Sequence, residues 1–304
     1  MNDIFVFDIA RLAVKSIVSA AALHPKPGLV TPLENNALDG MDFPRVLDGV
    51  MGLFPCLVNC ASIGFETEPI KPEEAMTLLR PVGRRGEQEV LQATRGGLAL
   101  RGTIFLMGLL CAAGGRLAAQ ERNLTPMALA LTASSFARGV CERELWGLKE
   151  DEEGGTPGER AYALYGMDGC RGEAERGFPL TLRAAGLLEN LGDTHGHLSL
   201  RERAVHVLLH IMVENGDTSL AGRGGIDGLL QVQEAARQAL ASGGMLAPAG
   251  REAVEEMDRA FRGRGISPCG SAVVLSAALF LLALKDLPPL RSDRPALSDQ
   301  YLSP

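Results

Sequence analysis

Cations set beside glycines, with carboxylates nearby, recur four times in this chain. The fullest instance is Glu214-Asn215-Gly216-Asp217-Thr218-Ser219-Leu220-Ala221-Gly222-Arg223-Gly224-Gly225, a polar, glycine-rich stretch between two apolar segments of helical character. Breaks of the same kind span His24 to Gly28, Arg95 to Gly102 and Arg171 to Gly177. Each puts a cation where a helix should start or stop: Lys26, Arg101, Arg171 and Arg223. Glu87, Glu173 and Asp217 are the carboxylates beside them. A nucleoside triphosphate needs this mixture, because cations and free backbone N–H groups hold phosphates while carboxylates hold Mg²⁺. The pattern therefore suggests one phosphate site assembled from several helix ends. Solvated residues capping helix ends are the plain alternative. No GxxxxGK[ST] motif is present, so an ordinary P-loop is excluded.

Four of the five histidines fall in one region. His195 and His197 flank Gly196, and His206 and His210 share a face of an expected helix. With Asp193 they have a spacing that could hold a transition metal. The competing reading makes His206 and His210 the polar border of a half-buried helix and leaves His195-Gly196-His197 in a loop.

The elements that must position these groups are helices. The chain has 304 residues, 46% of them hydrophobic and only 5% aromatic, with 36 glycines and few β-branched runs, so its apolar content reads as helix on helix. The expectation is an all-α fold, a single multi-helix domain over residues 1–290 with its cleft formed by helix ends and glycine-rich loops, followed by a tail at 291–304. A net charge of -7, without a lysine-rich block, excludes the electrostatic footprint of nucleic-acid binding. The start lacks the basic region of a signal peptide, and the apolar stretch Ala272 to Leu284 is too short to span a bilayer. Six cysteines without a CxxC pair fit buried thiols in a reducing cytoplasm.

Helix boundaries follow from prolines, caps and glycines. The first helix is expected from Asp3 to Leu23, ended by Pro25 and Pro27, with Gly28 allowing close backbone approach to a ligand. A second stretch, Phe43 to Cys60, is expected to be interrupted at Pro55, and Lys71-Pro72-Glu73-Glu74 opens another. An apolar helix from Thr103 to Ala113 is expected to close at Gly114-Gly115, with Arg101 near its start. Thr125-Pro126 marks a capped helix start, and Ser199 with Glu202 a capping box. Lys149 to Gly158 reads as a mobile loop, and Ser267-Pro268 starts the last core helix.

Seven blocks carry a family resemblance. They are His24-Pro25-Lys26-Pro27-Gly28-Leu29-Val30, Leu79-Arg80-Pro81-Val82-Gly83, Arg101-Gly102-Thr103-Ile104-Phe105, Gly158-Glu159-Arg160-Ala161-Tyr162, Arg171-Gly172-Glu173-Ala174 through Gly177-Phe178-Pro179, Asp217-Thr218 through Arg223-Gly224-Gly225, and Ser267-Pro268 with Gly270-Ser271-Ala272. In that order they resemble the triphosphoribosyl-dephospho-CoA synthase family over roughly residues 9 to 285. Thr31, Leu38, Gly40, Leu98, Pro157 and Val273 stand where the family carries other polar or histidine side chains.

The resemblance implies a helical, cytoplasmic transferase that joins ATP to 3'-dephospho-CoA and releases adenine. Its product is the prosthetic-group precursor of citrate lyase or malonate decarboxylase, with an acyl carrier protein of that pathway as a possible partner. ATP is then a substrate, Mg²⁺ is expected, and no tightly bound organic cofactor is implied. Nucleotide contacts are expected from Lys26, Gly28, Arg101, Gly102, Arg171, Arg223, Gly224, Gly225 and Ser271, with Lys26, Arg101 and Arg223 on the phosphates. Asp217 and Glu87 are expected on Mg²⁺ or the ribose, and Glu173 as an acid–base group. A divergent ribosyl transferase with another acceptor, and a catalytically weak nucleotide-binding relative, remain as alternatives.

Overall fold

The computed structural model describes residues 2–38, 40–96, 100–148 and 155–287, which form thirteen α-helices and no strand. The expected tail at 291–304 lies outside the described residues, as do positions 149–154 of the expected loop. The helices are α1 (Asn2–Ala21), α2 (Phe43–Glu66), α3 (Pro72–Ala93), α4 (Arg101–Ala119), α5 (Pro126–Ala137), α6 (Val140–Leu145) and α7 (Pro157–Tyr165). They continue with α8 (Gly169–Glu175), α9 (Pro179–Thr194), α10 (Leu200–Glu214), α11 (Thr218–Ala241), α12 (Pro248–Arg264) and α13 (Cys269–Lys285). One continuous apolar core joins all of them but α7.

The cap signals read from sequence are present. Thr125 accepts from the Ala128 N–H at 3.2 Å, and Ser199 and Glu202 form a reciprocal box at the start of α10. A second box, Thr156 with Glu159, opens α7.

Pro55 and Gly114-Gly115 behave differently from expectation. α2 continues through Pro55 and α3 through Pro81. Each proline removes one N–H from the helix ladder, but Pro55 and Pro81 are exposed, as are Met51 and Thr77 four residues earlier, so water can serve the freed carbonyls. α4 likewise runs past Gly114-Gly115, because those glycines serve packing. A Cβ on Gly115 would lie 2.0 Å from the Ala61 carbonyl oxygen, and one on Gly64 would lie 1.9 Å from that of Ala112. α2 and α4 therefore touch backbone to backbone at two levels, and α4 is buried over nearly its whole length.

The stretch from 214 to 225 is also more helical than it reads. Only residues 215–217 separate α10 from α11, and Arg223-Gly224-Gly225 lies inside α11, which kinks at Gly225 (φ 75°). By length and composition α2 and α4, rather than the stretch at Ala272, are apolar enough to cross a membrane. In α4 that window is 83% buried within the protein.

Candidate functional site

The first residues of four helices open onto a single cleft of ≈ 870 Å³. Arg101 and Gly102 begin α4, Pro157 and Gly158 begin α7, Thr218 and Ser219 begin α11, and Cys269 and Gly270 begin α13. The opening N–H groups of a helix have no partner within it, and its dipole is positive there, so each such end favours an anion. Close approach makes the convergence possible: a Cβ on Gly222 of α11 would lie 1.8 Å from the Pro157 carbonyl oxygen of α7.

The side chains add to this field. Arg80, Arg84, Arg101, Arg160, Arg171 and Arg223 line the cleft against Glu87, Glu144, Glu159 and Asp168. In a chain of net charge -7 this is a locally cationic surface. Glu144 holds both Arg80 and Arg171, the latter at 2.7 Å, and Glu159 lies 3.8 Å from Arg171. Arg101 faces Glu87 at 3.5 Å. Arg84 and Arg223 make no ion pair among the described residues and are exposed, which leaves them available to a ligand. Met76, Leu79, Ile104, Phe105, Leu109 and Val273 supply an apolar wall.

Titration sorts the cleft groups. Burial pushes the Glu159 carboxyl up, but hydrogen bonds from the Thr156 backbone and hydroxyl, with the charges of Arg171 and Arg101, bring it below the usual carboxylate range. Glu159 is thus a fixed anion that orients Arg171. The Cys170 thiol is pushed to about 12 by burial and by the charges of Asp217 and Glu173, so at neutral pH it is protonated and a poor nucleophile.

Of the residues singled out from sequence, Glu87, Arg101, Gly102, Arg171 and Arg223 meet in this cleft. The others lie beside or behind it. Asp217 is fully buried: Oδ1 accepts from Ser219 N (3.1 Å), Ser219 Oγ (2.6 Å) and Leu220 N (3.4 Å), while Oδ2 accepts from Ser271 N (3.1 Å). Burial pushes its carboxyl above the ordinary value despite those hydrogen bonds. Ser271 is buried as well, and its hydroxyl accepts from Asn215 Nδ2 at 3.2 Å. Glu173 is spent on α9, taking Thr181 N and Oγ1 at 2.8 and 2.9 Å. Gly224 has open space around it, and Gly225 forms the kink next to Tyr165.

Lys26 and Gly28 belong to a separate buried cluster. The Lys26 ammonium nitrogen donates to the Ala20 and Ala21 carbonyls at the end of α1, both at 2.9 Å. Gly28 N donates to Asp258 Oδ1 at 2.8 Å, and a Cβ on Gly28 would lie 2.0 Å from the Ile266 carbonyl oxygen. Burial, opposed by Cys269 and Asp258 and helped by the charge of Arg262, lowers Lys26 to about 7.

The histidines do not gather around a metal-sized centre. Among the described residues no group of three or more His, Cys, Asp or Glu side chains could hold a metal ion. His206 Nδ1 accepts from Met245 N at 3.2 Å, and burial, with His210 and His195 nearby, lowers His206 to about 4.

Sequence reasoning gave no role to Arg84, Glu144 or Asp168, which carried no local signal. Arg80, Glu159 and Arg160 stood inside the quoted blocks, and the Thr156-x-x-Glu159 box was there to be read.

The sequence matches the family model described as ATP:dephospho-CoA triphosphoribosyl transferase (CitG) over residues 6–292. It is 35% identical over 286 residues to a protein of Citrobacter koseri (strain ATCC BAA-895 / CDC 4225-83 / SGSC4696) named probable 2-(5''-triphosphoribosyl)-3'-dephosphocoenzyme-A synthase, an alignment covering 91% of each chain. No solved structure matches the chain significantly.

Proposed function

The chain belongs to the ATP:dephospho-CoA triphosphoribosyl transferase family, and we propose that its cleft carries out that reaction on ATP and 3'-dephospho-CoA. The C1'–N9 bond of ATP breaks and a bond forms between C1' and the 2'-oxygen of dephospho-CoA. The hydroxyl proton is lost, adenine leaves protonated, and the triphosphate stays on the transferred ribose. The supporting observation is the meeting of four helix N-termini and six arginines at one cleft.

In this reading Arg101, Arg171 and Arg223 grip phosphate oxygens, with Glu144 and Glu159 holding Arg171 in position. Glu87 is the carboxylate on the ribose side, where oxocarbenium-like charge develops in the transition state. Mg²⁺ would arrive with the triphosphate and neutralise its charge, since Glu144, Glu159 and Asp168 are paired with arginines and no three carboxylates gather into a metal-binding group among the described residues. Asp217, with both oxygens engaged by protein donors, acts by aligning the starts of α11 and α13. Glu173, Ser271, Lys26 and Gly28 serve as supports of the same frame. Residues 1–290 are the catalytic unit, acting in the cytoplasm, and the product goes on to an acyl carrier protein.

Incubation with ATP, Mg²⁺ and dephospho-CoA tests the reading. Adenine release matching dephospho-CoA consumed supports it. Thermal stabilisation by ATP with no adenine released would show a nucleotide binder instead.

A further inference from the structure

A smaller, half-open chamber of ≈ 240 Å³ adjoins the main cleft at the Glu87–Arg101 pair. It shares Arg84, Glu87, Arg101 and Ile104 with the main cleft, and its remaining walls are Gln88, Val90, Leu91 and Leu100. Arg84, Glu87, Gln88 and Leu91 stand at i, i+3, i+4 and i+7, so one stripe of α3 runs from the charged cleft into this chamber. The two spaces differ in chemistry. Arg80, Arg160, Arg171 and Arg223, with the starts of α7, α11 and α13, border only the larger one. Beyond the four shared residues, Arg84 among them, the smaller one adds three aliphatic side chains and one neutral amide.

That division matches a nucleotide in two parts. The phosphates belong where the cations are. A purine is flat and uncharged, with apolar faces and an edge of hydrogen-bond donors and acceptors. Aliphatic walls suit its faces, and a Gln side chain can donate to and accept from its edge. The ribose between the two parts would then sit at Glu87 and Arg101, with the bond to be broken at the threshold between the chambers. We propose that this side chamber is an adenine pocket for the base of ATP, with Gln88 reading the purine edge and Leu91 covering its face. The proposal rests on the reading above. Dephospho-CoA carries the same base, but the base that leaves is the one that must lie across Glu87 from the phosphates.

Free adenine and inorganic tripolyphosphate are separate probes of the two spaces. Equilibrium dialysis of the intact protein is expected to show both bound at once. Leu91→Trp, filling the chamber, should weaken adenine by about tenfold or more and leave tripolyphosphate unchanged. In turnover it should raise KM for ATP by about tenfold with KM for dephospho-CoA unchanged. Gln88→Leu, at an exposed position, should weaken adenine in the same direction and narrow the preference for ATP over ITP. If Leu91→Trp melts early, Gln88→Leu carries the test alone. Lack of adenine binding by the wild-type protein, mutual displacement of adenine and tripolyphosphate, or adenine affinity untouched by the substitutions would each overturn the proposal. So would a rise confined to KM for dephospho-CoA, which would give the pocket to the acceptor's base. Adenine release by the wild-type protein is judged separately, so the pocket can fail while the transfer reaction stands.

Discussion

The carboxylate of Asp217 accepts the backbone N–H of Ser271 at 3.1 Å across the cleft's rear wall. Its other oxygen caps α11 through Ser219 and Leu220, so one buried side chain fixes the starts of two helices against each other. A Cβ on the neighbouring Gly270 would lie 2.7 Å from that carboxylate, which leaves no room for any other residue there.

Asp217→Asn puts an amide NH₂ where the neighbours are themselves donors. A backbone N–H then loses its acceptor and the amide's own N–H groups face donors, at a cost of at least about 1–3 kcal/mol. Urea denaturation should show that loss together with a drop in kcat. Unchanged stability would mean that Asp217 does not hold the two helix starts together.

Arg223 and Arg171 should separate binding from support. Arg223 is exposed, with no ion pair among the described residues, so Arg223→Ala is expected to leave the melting temperature unchanged while weakening ATP by about tenfold, as for loss of a charge-assisted contact. Arg171→Ala leaves Glu159 without its ion-pair partner and Glu144 with Arg80 alone, and should lower both affinity and stability. ATP titration beside thermal melts reads the two effects apart.

Lys26 makes stability depend on pH. Its folded value is about 7, against an ordinary 10.5, chiefly through burial. Between those values the unfolded chain carries a proton that the folded chain does not, so this contribution is full above pH 10.5 and is lost as pH falls to about 7. The slope is at most about 1.4 kcal/mol per pH unit. Denaturation of wild type and Lys26→Met at pH 7.5 and 9.5 checks this, and the rise with pH should vanish in the variant.

Glycine substitutions should part by environment. Gly115→Ala drives a methyl into the Ala61 carbonyl and should cost about 3 kcal/mol. Gly186→Ala, in α9 with nothing within 4 Å of the added carbon, should gain about 0.5–1 kcal/mol from helix propensity. Equal effects at the two positions would refute the contact geometry.

These contrasts also explain what the sequence could and could not reveal. Capping residues are local, so Thr125-Pro126 and Ser199 with Glu202 were legible. Pro55 and Gly114-Gly115 were not, because whether proline or glycine stops a helix depends on exposure and on the neighbouring helix. An acid beside a glycine reads the same whether it lines an open cleft, as Glu87 does, or ties backbone together, as Glu173 and Asp217 do. Lys26 looked like an anion contact for the same reason, its carbonyl partners being invisible in a string of letters. Arg84 and Glu144 reach the cleft only through the packing of α3 and α6.

The kink at Gly225 leaves Arg223 on a two-turn stub of α11, anchored at one end by Asp217 and pressed at Gly222 against the α7 backbone. On such a stub, distance along the chain is angle. Adding or deleting a single residue between Thr218 and Gly222 would rotate the guanidinium by about 100° and point it away from the other arginines. The segment works as a measured spacer, and its length should tolerate less change than the identity of most letters within it.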